Sequence, residues 1–203
     1  MWAKEKFYRK TLKNKIFFLS QIFIFFLFSI SISHANLKKN LIEKLSSTNT
    51  LSFDFKQIIA GKKEEGICFI KYPLLMKCNY KIPKKKILIS NGKTIAIIKK
   101  KYKKIYFYPL KSTPLFTILK RDKIINLIEI SEPVKVDSNS VGFTFVDKKS
   151  NKLKIIFDKT KLELKGWKTE DAYSNSVNFI IDNLKTNNQI VDSFFKIPKE
   201  EDL

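Results

Sequence analysis

Residues 66–119 read GICFIKYPLLMKCNYKIPKKKILISNGKTIAIIKKKYKKIYFYPLKSTPLFTIL. Short apolar runs lie at residues 67–72, 75–82, 87–90, 94–98 and 105–108, each closed by proline, by Asn-Gly or by clustered lysines. Runs of this length between turn signals predict the strands of an antiparallel meander. Pro73 turns the first pair, and Pro83 with Lys84, Lys85 and Lys86 makes the next loop. Asn91-Gly92 supplies the positive φ of a tight hairpin, and residues 99–104 form the loop after it. The stretch ends in a predicted helix over 114–120. Ser112 or Thr113 is placed to cap it, Pro114 sits in its first turn, where a missing N–H costs nothing, and Leu115, Phe116, Ile118 and Leu119 form its apolar face.

Toward the N-terminus, residues 61–65 read as a polar turn and residues 52–58 alternate, which puts Phe53 and Phe55 on one face of a strand. Leu37, Leu41, Ile42 and Leu45 recur at helical spacing, so residues 37–45 predict an amphipathic helix. Toward the C-terminus, residues 122–130 fit a second short helix or a strand, since so short an apolar run does not decide by period, and the helix is preferred. Alternation returns at 141–146, 153–157, 162–167, 177–181 with Leu184, and 190–197, with turns at 148–151, 158–161, 170–174 and 185–188. No linker or repeat divides the series, so residues 36–203 form one α+β domain built on a single antiparallel sheet of about eleven strands. Such a sheet curls because twist accumulates, and eleven strands enclose more space than their own side chains fill. Something must occupy its hollow side, and the helices over 37–45 and 114–120 are the candidates, with or without space left for a ligand.

The N-terminus has the three parts of a secretory signal peptide. Lys4, Lys6, Arg9, Lys10, Lys13 and Lys15 form a positive region, residues 16–32 are almost wholly apolar, and Ser33-His34-Ala35 has small residues at both positions a signal peptidase needs. Cleavage is expected after Ala35, with the mature chain exported to the periplasm; the alternative is an uncleaved anchor, since the apolar run approaches the length that spans a bilayer. The formal net charge of the whole chain is +21, and the part beyond Ala35 stays strongly basic. Arg9 and Arg121 are its only arginines, so the bidentate readers of nucleic acid are nearly absent, and no nucleic acid is expected as partner.

Little here supports catalysis. The single histidine, His34, falls in the expected signal peptide, no Gly-rich phosphate loop is present, and two cysteines cannot complete a zinc site. The chain therefore reads as a non-enzyme with no cofactor and no metal. Glu64-Glu65 and Glu200-Glu201 read as solvated pairs in a turn and the tail, and residues 99–104 as a solvated hairpin loop, with a membrane-touching or docking surface the alternative. A turn at Pro73 sets Cys68 opposite Cys78 on neighbouring strands, which in an exported protein favours a disulfide; two buried thiols are the alternative. Alternation puts Phe53, Phe55, Met76, Tyr80, Ile95, Ile97, Phe143, Phe145, Val177, Phe179 and Ile181 on the face turned toward the hollow side. There they either pack as core or line a cavity.

The chain resembles the periplasmic outer-membrane lipoprotein carrier proteins, the LolA-type family. The residues that carry the resemblance are Phe53-x-Phe55-x-Gln57 after an amphipathic helix, Gly66 followed by Phe69-Ile70-Lys71-x-Pro73, Tyr80-x-x-Pro83, Ser90-Asn91-Gly92-Lys93, Thr113-Pro114-Leu115, and Phe195-x-Ile197-Pro198. Each is weak alone; their order and spacing are specific. The resemblance implies an incomplete barrel whose helices form a lid, with Leu115, Phe116 and Leu119 on its inner side, over a hydrophobic cavity lined by the residues named above. It implies a monomeric chaperone whose partners are acylated lipoproteins, an inner-membrane lipoprotein-releasing transporter, and an outer-membrane receptor or membrane. A membrane-tethered or soluble envelope lipid-binding protein without a transporter is the other reading. Two positions depart from the family pattern: Tyr72 stands where many members carry a lid-controlling arginine, and Cys78 where an aromatic often lines the cavity.

Overall fold

The computed structural model describes residues 36–82, 85–146, 152–171 and 174–203. The expected signal peptide, Pro83 with Lys84, the turn at 148–151 and part of that at 170–174 lie outside the described residues. A helix, α1, covers residues 36–46 and buries Leu41 and Leu45. Eleven strands follow in one sheet: β1 (Thr50–Ile59), β2 (Lys62–Lys71), β3 (Leu75–Tyr80), β4 (Lys86–Asn91), β5 (Thr94–Lys99), β6 (Lys104–Pro109), β7 (Val134–Lys135), β8 (Ser140–Val146), β9 (Lys152–Asp158), β10 (Leu164–Glu170) and β11 (Ser176–Thr186). Between β6 and β7 lie a single helical turn, α2 (Leu115–Ile118), and a longer helix, α3 (Arg121–Ile130).

The sheet is antiparallel throughout and runs β6-β5-β4-β3-β2-β1-β11-β10-β9-β8-β7, so β6 and β7 are its edges and the sheet stays open. Chain neighbours pair everywhere except at the β1–β11 ladder, where Phe55 faces Ile181 and Gln57 faces Phe179. Gly166 lies at a break in the β9–β10 register, with φ +142 and the Phe179 carbonyl where a Cβ would stand, so only glycine fits.

Several expectations change. Residues 62–65 are strand, not turn: Ala60 (φ 47) and Gly61 (φ 75) make a two-residue hairpin with both residues left-handed, which lets the polar residues of β2 pair with the end of β1. Pro114 is the residue before the first turn of α2, and no side chain caps it; the Thr113 hydroxyl donates instead to the Leu110 carbonyl. Residues 190–197 form no strand. They carry a 3-10 turn at Asp192–Phe195, because the adjacent Phe194 and Phe195 cannot both meet one sheet face in an alternating strand. The eleventh strand is the two-residue β7, too short to show a period.

The two faces of the sheet are covered differently. Strand register collects all eleven residues named for the hollow side on one face, through pairs such as Ile70 with Met76, Ser90 with Ile95, Trp167 with Phe179 and Phe143 with Ile155. This inner face lies under α2 and α3, where Ile118, Leu119, Ile124, Leu127 and Ile128 are buried. On the outer face, Ile89, Ala96, Ile98 and Ile105 form a core under Ile197 and Leu203 of the C-terminal segment.

Candidate functional site: a lidded apolar face

The inner face is built around an aromatic stack. The Phe179 ring lies parallel to Trp167 at 4.0 Å and to Phe55 at 4.9 Å, Tyr80 meets Phe55 edge-on at 4.9 Å, and Phe53 meets Phe179 edge-on at 6.2 Å. Gly66 makes room for it, since a Cβ there would stand 2.6 Å from the Phe55 ring. Phe53, Phe55, Met76, Tyr80, Ile95, Phe143, Phe179 and Ile181 are buried, and Ile97, Phe145 and Val177 are half-buried. Cys68 and Cys78 oppose one another on this face and are joined as a disulfide with Cα atoms 4.1 Å apart.

Polar side chains close one end of the stack. The Lys86 ammonium donates to the Glu64 carboxylate at 2.8 Å and stands 4.3 Å from the centre of the Tyr80 ring, while the Tyr80 hydroxyl and Gln57 share a hydrogen bond. Glu64 is therefore a buried ion-pair partner on β2, not half of a solvated pair. Burial, with the Glu64 charge beside it, pushes the Tyr80 phenol well above its usual range.

Toward β8–β10 the lid leaves a cleft. It measures about 430 Å³ and lies between residues 111–117 with Lys123 on one side and Phe145, Lys152, Leu153 and Thr169 on the other. A smaller one of about 190 Å³ continues along α3, past Leu127 and Ile130, and shares Phe145. Of the expected lid residues, Phe116 lines the larger cleft with the Lys123 ammonium 5.1 Å from its ring centre, Leu119 is fully buried, and Leu115 is half-buried. Leu153 and Thr169 were not among the expected lining residues, although the alternation that selected Phe143 and Phe145 holds on β9 and β10 as well. A shallow depression of about 490 Å³ on the outer side, at the irregular β1–β11 register, is lined by Phe53, Ile67, Phe69 and Leu184 together with the polar Ser52, Asp54, Asn183 and Lys185.

Residues 46–198 match the family described as outer membrane lipoprotein carrier protein LolA. The chain belongs to this family. No curated protein sequence matches it. Among solved structures it is similar to an uncharacterized conserved protein from Thermus thermophilus, at 8% identity over 81% of this chain and 94% of that one, with a TM-score of 0.50. A putative outer membrane lipoprotein-sorting protein domain from Vibrio parahaemolyticus shares 11% identity over 80% and 94% (TM-score 0.43). A LolA superfamily protein from Nitrosomonas europaea shares 8% over 79% and 97% (TM-score 0.42). The eleven-stranded open sheet with its helices is the incomplete barrel of the LolA-like fold.

Within that fold the lid is held by groups the sequence did not single out. The Arg121 guanidinium, at the start of α3, donates to the carbonyls of Ser46 and Thr48 and to Asn49 Oδ1, at 3.0 to 3.3 Å. The Leu74 N–H donates to the Leu119 carbonyl at 2.8 Å, which ties the β2–β3 turn to the lid. Tyr72, expected to stand where related carriers have a lid-controlling arginine, has its hydroxyl buried without a hydrogen-bond partner, and burial pushes its pKa far up. The cation near the lid thus comes from α3. Among the described residues no group of three metal-binding side chains occurs, and no helix is long and apolar enough to cross a membrane.

Proposed function

We propose that this protein is a periplasmic carrier that shields the acyl chains of lipoproteins released from the inner membrane and delivers them to the outer membrane. The observation that carries the reading is the cleft of about 430 Å³ between lid and sheet, floored by Phe145 and Leu153 and roofed by Phe116. That volume lies in the range of pockets that bury most of a small apolar ligand. Each acyl methylene in water costs about 0.8 kcal/mol, so a chain of ~15 methylenes costs roughly 12 kcal/mol and cannot cross an aqueous compartment unshielded. The apolar part of the cleft lining, Phe116, Phe145 and Leu153, offers non-directional contact inside a rim of lysine, serine and threonine side chains, which suits a protein that must also release its cargo. Membership of the LolA family supports the cargo class, and residues 1–35 supply the route of export by a cleaved signal peptide. Binding and release require no bond chemistry, so the carrier is not an enzyme.

Photocrosslinkers at Phe116, Phe145 and Ile67 test it against an acyl-labelled lipoprotein in inner-membrane vesicles. Crosslinks at Phe116 and Phe145, none at the outer-face Ile67, and appearance of the lipoprotein in the soluble fraction are expected. No crosslink under the lid would overturn the reading. Crosslinks without release would leave a lipid-binding protein that has no transporter partner.

A further inference from the structure

The β5–β6 hairpin carries a surface that the lidded cleft does not explain. Residues 99–108 read KKKYKKIYFY, and β6 is an edge strand. Tyr102 is 63% exposed, Tyr106 43%, Phe107 58% and Tyr108 47%, whereas Ile105 alone of this strand's apolar side chains is buried. Register sends Tyr106 and Tyr108 to the inner side and Phe107 to the outer side, so aromatic rings project from both sides of the sheet rim. Lys99, Lys100, Lys101, Lys103 and Lys104 are all exposed around them. The Lys99 and Lys101 ammonium groups stand 5.0 and 5.7 Å from the centres of the Tyr106 and Tyr102 rings.

An apolar edge strand ordinarily invites pairing with another strand. This edge is blunted. The Glu200 carboxylate accepts the Ile105 N–H at 2.9 Å, and Pro109 ends the strand without a donor. What remains is an aromatic rim inside a field of ammonium groups, which complements an anionic bilayer surface: tyrosine rings favour the headgroup level and lysines are drawn to the lipid charge. We infer that residues 99–108 are a membrane-docking rim that seats this protein on bilayers carrying anionic lipids. The inference goes beyond the carrier reading and stands whether or not the cleft takes an acyl chain.

The chain as a whole is strongly basic, so the test must separate this rim from charge in general. In the mature chain, residues 36–203, whose one native tryptophan is the buried Trp167, a second is introduced by Phe107→Trp, or as a control by Val191→Trp at a side chain 69% exposed elsewhere. Each is mixed with vesicles of 70% phosphatidylcholine and 30% phosphatidylglycerol whose acyl chains are brominated. Quenching with a blue shift is expected for Phe107→Trp and not for Val191→Trp. Each lysine near an anionic surface strengthens binding about fivefold, so Lys100→Gln, Lys101→Gln and Lys103→Gln together should weaken the quenching isotherm about a hundredfold. The same change of charge at Lys161, Lys168 and Lys185 should leave it within about fivefold. Equal quenching at both tryptophans, equal loss from both triple variants, or no quenching at position 107 would overturn the proposal. A dimer that forms without vesicles and depends on Phe107 would place a second copy on this edge instead, and would also overturn it.

Discussion

Two segments cover the two faces of one sheet, and they are attached by different physics. The lid, residues 110–130, is mostly helical, so its backbone hydrogen bonds are largely closed within itself, and apolar side chains supply most of its attachment. The C-terminal strap, residues 190–203, also closes backbone bonds within itself, in the 3-10 turns at Asp192–Phe195 and Glu200–Asp202, and is fastened to the sheet by lysine side chains. Lys71 donates to the Ile190 carbonyl at 2.8 Å and pairs with Asp192, and Lys77 donates to the Phe194 carbonyl and stands 4.2 Å from the centre of its ring. Phe194 in turn meets Phe69 edge-on at 5.1 Å. Burial under the strap lowers the Lys77 pKa. Lifting either cover exposes apolar area; lifting the strap also breaks these charged side-chain bonds, and lifting the lid those of Arg121 and Leu74. Under the proposed carrier function the lidded face is the one that has to open.

The largest effect that would sharpen this contrast lies in the strap. Phe195 is 1% exposed, and Phe195→Ala should cost about 3–5 kcal/mol, read as a lower urea midpoint of global unfolding. Crosslinking at Phe145 in the variant that still folds should be unchanged. A cost under about 1 kcal/mol would mean the strap is not part of the core.

Next is the disulfide beneath the lid. Cys68→Ala with Cys78→Ala should lower stability by about 3 kcal/mol on the loop-entropy argument for a separation of 10 residues. Thiol titration of denatured protein prepared without reductant should find none free; two free thiols would show that the pair is reduced in its own compartment.

The smallest global effect should come from the lid itself. Arg121→Gln removes bonds that join α3 to the α1–β1 loop, at a cost of about 1–2 kcal/mol to the whole fold. Amide exchange across residues 115–119 should rise by more than that of residues 192–197. Equal acceleration in both segments would erase the difference between the covers.

Where a strand announced itself by alternation between turn residues, the sequence was sufficient. Asn91-Gly92 and Pro73 placed hairpins correctly, and the inner face could be assembled from Phe53 through Ile181 because a side-chain period of two leaves one choice of face. The hairpin at Ala60-Gly61 was missed because alanine rarely takes positive φ, and the strap because Ile190, Phe194, Phe195 and Ile197 imitate a broken alternation. Neither Glu64 with Lys86 nor Arg121 with its carbonyls could be found, since those partners are far apart in the chain or belong to the backbone. The cleft itself is a remainder left by packing, and no residue pattern encodes a remainder.

The β1–β11 ladder bears on the order in which the molecule forms. Every other pairing in the sheet joins neighbours in the chain, so β1–β6 and β7–β11 are two runs of local hairpins that can assemble quickly and separately. Joining them closes a loop of more than a hundred residues, whose entropic cost makes it a late step. Until β11 has been made, β1 presents one unpaired edge with Phe53 and Phe55 beside it, and the stack around Phe179 cannot begin. A chain made N-terminus first must therefore hold this edge open until its last strand is complete, so its yield depends on how soon β11 arrives as well as on its final stability.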